Sequence, residues 1–199
     1  MPINNNLMAN QIASAARSAG SNFAKSTGAG MASVTGSSHF DAFLKLDGIK
    51  GESLTKGQEG AIDIQSFGWG VSNIHSVASG SGGGAGKASF SDFAFTKFAD
   101  IASTALFFAC ASGQHIKDAT LTVRKSGGEA LTYLVIKMSD VLISSYQASG
   151  AEGTDSIKPT DMCSIGFSKI QMDYTGQDAQ GKAGKTVTHG WDVKANTKV

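Results

Sequence analysis

Ile62-Asp63-Ile64-Gln65-Ser66-Phe67-Gly68-Trp69-Gly70-Val71 is the stretch whose reading decides the fold. Ile62 and Ile64 alternate with Asp63 and Gln65, which is the period of a half-buried strand. Phe67, Trp69 and Val71 continue the alternation on the opposite parity. A one-residue slip moves every side chain to the other face of a sheet. The chain must therefore carry a bulge or a sharp bend here, where glycines flank the switch.

The same period of two extends in both directions. Phe43-Leu44-Lys45-Leu46 reads as a strand that ends at the turn signal Asp47-Gly48. Phe90, Phe93, Phe95 and Phe98 form a β-like run. Leu121 and Val123 lead into Ser126-Gly127-Gly128-Glu129, and the apolar run from Leu131 to Tyr146 makes the partner of a hairpin. Met162–Tyr174 and Thr186–Val193 complete the strands, and the aromatic positions read as core. One segment, Ser103–Gly113, has a hydroxyl N-cap signal and a glycine stop around an apolar stripe, and is expected to be helical. Many strands, short turns and a single helix predict a mainly β chain: a small β-barrel or sandwich with one packed helix. The long runs at 131–146 and 160–175 suit strands that bend around a barrel.

Composition divides the chain. Of its 16 acidic residues none precedes Asp41, and the first 38 residues hold one aromatic, Phe23, and two charges, Arg17 and Lys25. Residues 1–38 read as a polar, small-residue extension, disordered or a short helix through Met8, Ile12, Ala15, Ala19 and Phe23. Residues 39–199 are long enough to bury a core without a disulfide. Seventeen basic against 16 acidic residues leave no field to attract nucleic acid or anionic lipid. There is no apolar run long enough for a membrane span, and no basic segment followed by an apolar core of the secretory-signal type. Cys110 and Cys163 stand 53 positions apart in apolar runs and read as buried thiols.

No catalytic, cofactor or metal constellation is expected. Gly80-Ser81-Gly82-Gly83-Gly84-Ala85-Gly86-Lys87-Ala88 resembles a phosphate loop, but Ser81 stands where glycine is needed and Ala88 where the magnesium-binding hydroxyl belongs. It reads as a long glycine loop between strands. The histidines at 39, 75, 115 and 189 lie in separate segments, with no base–nucleophile or metal-ligand spacing. Asp47, Asp63 and Asp140 read as turn formers and solvated faces. By elimination the residues predict binding or structural work at surfaces and sheet edges. A monomeric ligand-binding β-barrel is the alternative.

Phe43–Ser53 followed by Phe67-Gly68-Trp69-Gly70 resembles the opening of the Hcp proteins, the haemolysin-coregulated tube subunits of type VI secretion. Gly82–Lys87 with Phe95-Thr96-Lys97, then Ala109–His115, Leu121–Glu129 and Gly190-Trp191-Asp192-Val193 continue the likeness in order over about residues 40–199. The resemblance implies a non-enzymatic barrel with a helix on one side. Six copies would close into rings that stack as a tube, with contractile sheath proteins outside, a spike protein at the tip and effector proteins in the lumen. It also implies residence in the bacterial cytoplasm before firing, then secretion without a cleaved signal peptide. By position, Val77–Lys87 matches the loop that reaches a neighbouring ring, through Val77, Gly80, Gly82, Gly83, Gly84, Gly86 and above all Lys87. Gly127, Gly128 and Glu129 match the ring-face turn, and Gly68 and Ala151 match lumen-lining positions. The extension at 1–38 has no counterpart in the family, whose members begin near Ser38.

Overall fold

The computed structural model describes residues 40–75, 85–126, 131–150, 158–178 and 181–199. The expectations for residues 1–38, for most of the glycine loop, for Gly127–Glu129 and for Ala151 lie outside the described residues.

Among the described residues twelve strands and one helix follow in the order β1 (Phe40–Leu46), β2 (Ile62–Ile64), β3 (Ser66–Gly68), β4 (Val71–His75), β5 (Ala85–Phe90), β6 (Phe93–Phe98), α1 (Ala102–Ser112), β7 (His115–Lys125), β8 (Thr132–Ser149), β9 (Thr160–Gly166), β10 (Lys169–Gln177), β11 (Ala183–Asp192) and β12 (Thr197–Lys198). Every pairing is antiparallel. The parity switch at Gln65 is a corner: β2 pairs with β1, and β3, one residue later, pairs with β6. From β6 the ladder passes to β9, then β8, β7 and back to β1. The pairing path thus returns to its start through bent strands, as a small barrel requires.

The second bend explains the length of β8. Its buried side chains are Ile136 and Met138, then Val141 and Ile143, so parity switches between them. Asp140 sits at the switch with φ 52°, a left-handed conformation that few non-glycine residues adopt. The facing chain breaks at the same level. The run read as one strand over 160–175 is β9 and β10, parted at Phe167 and Ser168. Ser168 Oγ donates to Asp140 Oδ2 at 2.7 Å, and the Ser168 N–H donates to Ser139 O at 3.1 Å. Both strands fold over one staple.

The barrel interior is filled. Leu44, Ile62, Phe93, Leu121, Ile136 and Ile165 are among its fully buried side chains, and α1 adds Ala102, Leu106 and Ala109 from outside the sheet. The helix ends as the sequence predicts, at Gly113 with φ 64°, whose N–H returns to Ala109 O and Cys110 O. Its start differs. Ser103 lies inside the helix, and the Asp100 carboxylate accepts the Ala102 N–H at 2.9 Å. Not every aromatic joins the core either: Phe40, Phe98, Phe107 and Phe108 are exposed.

Candidate functional site: an uncharged sheet face, a projecting hairpin and a buried ion cluster

Gly68 lies on β3 and is exposed, with nothing within 4 Å of the position a Cβ would take. Register aligns it in a row across four strands: Gly68, Ala94, Ser164, Ser145. The next row reads Ser66, Thr96, Met162, Gln147. These eight positions carry no charge, and they border a shallow depression of about 230 Å³. Ser66 and Thr96 hydroxyls bond to each other at 2.6 Å. Met162, 49% exposed, is the large apolar side chain of the two rows. The face offers hydroxyls and a thioether to whatever lies against it. It offers no acid or base.

β4 and β5 form a separate two-stranded sheet, in register from Val71↔Phe90 to His75↔Ala85. Gly86 and Lys87 are on β5, and Lys87 is exposed at the base of the glycine loop. Trp69 stacks on Phe90 with centroids 6.4 Å apart, and Phe90 meets Phe167 edge-on at 6.1 Å. These contacts anchor the hairpin to the barrel. Between the hairpin and β10–β11 runs an apolar groove of about 430 Å³, walled by Trp69, Val71, Phe90, Ile170, Met172 and Trp191.

One buried cluster escapes the motif reading. Lys97 follows Phe93 and Phe95 at period two, so its side chain faces the interior. Its ammonium donates to Asp100 Oδ1 at 2.6 Å, Phe98 O at 2.9 Å and Ser103 Oγ at 2.9 Å. It also lies 3.0 Å from Asp161 Oδ2. Asp161 further accepts from Ser103 Oγ and, at 3.1 Å, from the Tyr146 hydroxyl. Burial works against the Asp161 charge, but the hydrogen bonds from Ser103 and Lys97 and the Lys97 charge outweigh it, so the carboxyl stays below its ordinary pKa. Burial and the Asp161 charge push the Tyr146 hydroxyl up. The cluster ties β6, β9, β8 and the start of α1 together. The only sequence signal for it was a lysine on core parity.

The remaining candidates take structural places. Asp140 forms the β8 corner, and Lys194, Ser168 and His115 hydrogen bonds hold its carboxyl well below the usual carboxylate range. His189 lies at the apolar groove. Cys110 and Cys163 are free thiols, and burial first, with Asp161 second, pushes Cys163 up to about 12. A thiol held that high is not a nucleophile at neutral pH. Among the described residues no group of three or more His, Cys, Asp or Glu side chains is placed to hold a metal, and no helix is long and apolar enough to cross a membrane.

A filled barrel with an outer hairpin, a neutral sheet face and a buried ion cluster defines a small β-barrel protein. The chain belongs to the Hcp family: the family model described as "Type VI secretion system effector, Hcp" matches residues 43–174. It is 40% identical over 160 residues to Protein hcp1 of Pseudomonas aeruginosa, covering 79% of this chain and 98% of the relative. A solved type six secretion system protein superposes with a TM-score of 0.77 at 33% identity, covering 81% of this chain and 100% of that one. Hcp1 from Salmonella typhimurium superposes with a TM-score of 0.67 at 32% identity, over 80% and 99%. The protein is a tube component of type VI secretion, and proteins of this family are secreted.

Proposed function

We propose that the chain is a non-enzymatic subunit whose six copies close into a ring, that rings stack into a tube, and that effector proteins ride in the lumen. The observation that carries this reading is the two-row face around Gly68. It is the outer surface of a sheet, uncharged over eight aligned positions, as a conduit for varied proteins requires: charges there would select some cargo and repel the rest. Gly68 and Ala151 line the lumen in this reading, the loop from Val77 to Lys87 reaches the adjacent ring, and the turn at Gly127–Glu129 meets the ring face. Sheath proteins surround the tube, a spike protein closes its tip, and the chain passes from cytoplasm to exterior. Residues 1–38 form a separate extension to the barrel. Native mass measurement tests the ring: a species near six times the chain mass supports it. Secretion that stops when the contractile machinery is removed tests the export route.

A monomeric ligand-binding barrel is the second reading. The barrel interior is filled by core side chains, so a ligand would have to occupy the groove walled by Trp69 and Trp191, whose volume of about 430 Å³ lies in the range of small-molecule sites.

A further inference from the structure

β3–β4 and β5–β6 are the two sides of one antiparallel ribbon that is broken across its middle. On the barrel side of the break β3 pairs with β6, from Ser66↔Thr96 to Gly68↔Ala94. Beyond it β4 pairs with β5, from Val71↔Phe90 to His75↔Ala85, as a sheet of its own. At the break the ladder is reduced to Gly70 and Ser91. The Ser91 N–H donates to Gly70 O at 2.9 Å, but the Gly70 N–H donates to the Ser91 hydroxyl at 2.8 Å. A hydroxyl rotates about its own bond, so it follows a backbone through angles that a ladder carbonyl would not allow.

The ring contacts of the hairpin are gathered at that joint. Trp69 and Phe90, the residues beside Gly70 and Ser91, stack on each other, and Phe90 meets Phe167. Farther out, the Ala88 N–H of β5 donates to Asn196 Oδ1 in the β11–β12 turn at 3.3 Å, just beyond the usual range for such bonds. Between the hairpin and β10–β11 the groove of about 430 Å³ stays open. Its walls are apolar and wet: Val71 on β4 is 54% exposed and Met172 on β10 is 41% exposed. The lining holds no Asp, Glu, Lys or Arg. Bringing the walls together removes apolar surface from water and strands no charge.

We propose that β4 and β5 form a hinged arm, which pivots at Gly70 and Ser91 and closes over β10–β11 so that Val71 packs on Met172 and the groove collapses. Hinge closure of this kind is absorbed by a few residues at element ends. The closed arm withdraws both apolar walls from other proteins, and the open arm presents them. The device belongs to the single chain and does not depend on the ring reading.

Cysteine pairing tests it on the full-length chain. In a Cys110→Ser background, Val71→Cys and Met172→Cys are combined in one chain and treated with a mild oxidant. A disulfide needs Cβ atoms about 3.8 Å apart, a separation that the two walls reach when the arm closes. The double variant is expected to lose both introduced thiols while still running as a single chain on a non-reducing denaturing gel. Introduced thiols that stay free, or that join only between chains, overturn the proposal. The chain has two tryptophans, Trp69 and Trp191, and both line the groove, so acrylamide quenching of their fluorescence reports closure without any cysteine. Met172→Glu places a charge beneath the arm, which apolar closure would bury, and is expected to raise the quenching constant about twofold with an unchanged far-UV circular dichroism spectrum. A folded Met172→Glu chain quenched no more than wild type also overturns the proposal.

Discussion

Lys97 and Asp161 form an ion pair with 3.0 Å between Nζ and Oδ2, and their side chains are 0% and 1% exposed. A barrel wall is an expensive place for two charges, and the pair is sustained by the Asp100 carboxylate, Ser103 and Tyr146 around it. Removing one partner of such a pair strands the other, at a cost of about 3–5 kcal/mol. Lys97→Met should therefore lower the unfolding free energy by about that much in urea titration. A loss under about 1 kcal/mol, typical of an exposed pair, would show that the cluster does not stabilise the fold.

The same cluster sets an acid limit. Asp161 has a folded-state pKa below its unfolded value of about 3.9. Its stabilising contribution is complete above the unfolded value and disappears as pH falls through the folded one. Urea midpoints should drop between about pH 5 and pH 2 in the wild type, and Asp161→Asn, already destabilised at pH 7, should fall less steeply over that window. Equal slopes in the two proteins would place the acid sensitivity elsewhere.

Gly51 is a packing requirement. A Cβ there would stand 2.3 Å from Ala61 O, 2.6 Å from Ala61 C and 2.7 Å from Ile62 Cα, all backbone atoms. Gly51→Ala should destabilise by about 1–3 kcal/mol, the cost of overpacking. Gly68→Ser, with open space around the new side chain, should stay within about 0.5 kcal/mol of wild type. Thermal melts of the two variants side by side decide the matter, and a neutral Gly51→Ala would contradict the contact.

Thiol titration separates the two cysteines. Cys163 is buried with its pKa pushed up to about 12, whereas Cys110 is half-buried. In the folded protein at pH 8 at most one thiol equivalent should react with an aromatic disulfide reagent, and two after denaturation. Two fast equivalents in the native state would contradict the burial of Cys163.

Much of this architecture was legible in the residues, and the remainder was hidden for physical reasons. The opposite parity of Ile64 and Phe67 announced the β2–β3 corner, because a strand cannot change face without bending. The parity switch at Asp140 carries the same information, yet Asp140 reads as a solvated turn former until its left-handed backbone is seen. Lys97 was disguised by its charge: period two placed it inside, but a lysine there looks like an exception until Asp161, 64 positions later in the chain, supplies the counter-ion. Ser103 looked like a cap because a hydroxyl precedes an apolar run; Asp100 takes part of that role and frees Ser103 for the cluster. Gly68 could be placed on an outer face by strand period, but its neighbours Ala94, Ser164 and Ser145 come from three distant strands, so the row exists only after folding.

The division at residue 38 leads to a truncation experiment. Deleting residues 2–37 should leave a folded chain that assembles with the same number of subunits as the full-length protein, because among the described residues every core side chain lies at or after Ala42. An insoluble or monomeric product from a chain whose full-length form is a ring would show that the extension takes part in folding or closure.

The central claim is that this barrel works by closing into a six-membered ring. Native mass spectrometry of the full-length protein over a hundredfold range of concentration tests it most directly. The account predicts a dominant species at six times the chain mass, and a monodisperse monomer across that range would contradict it.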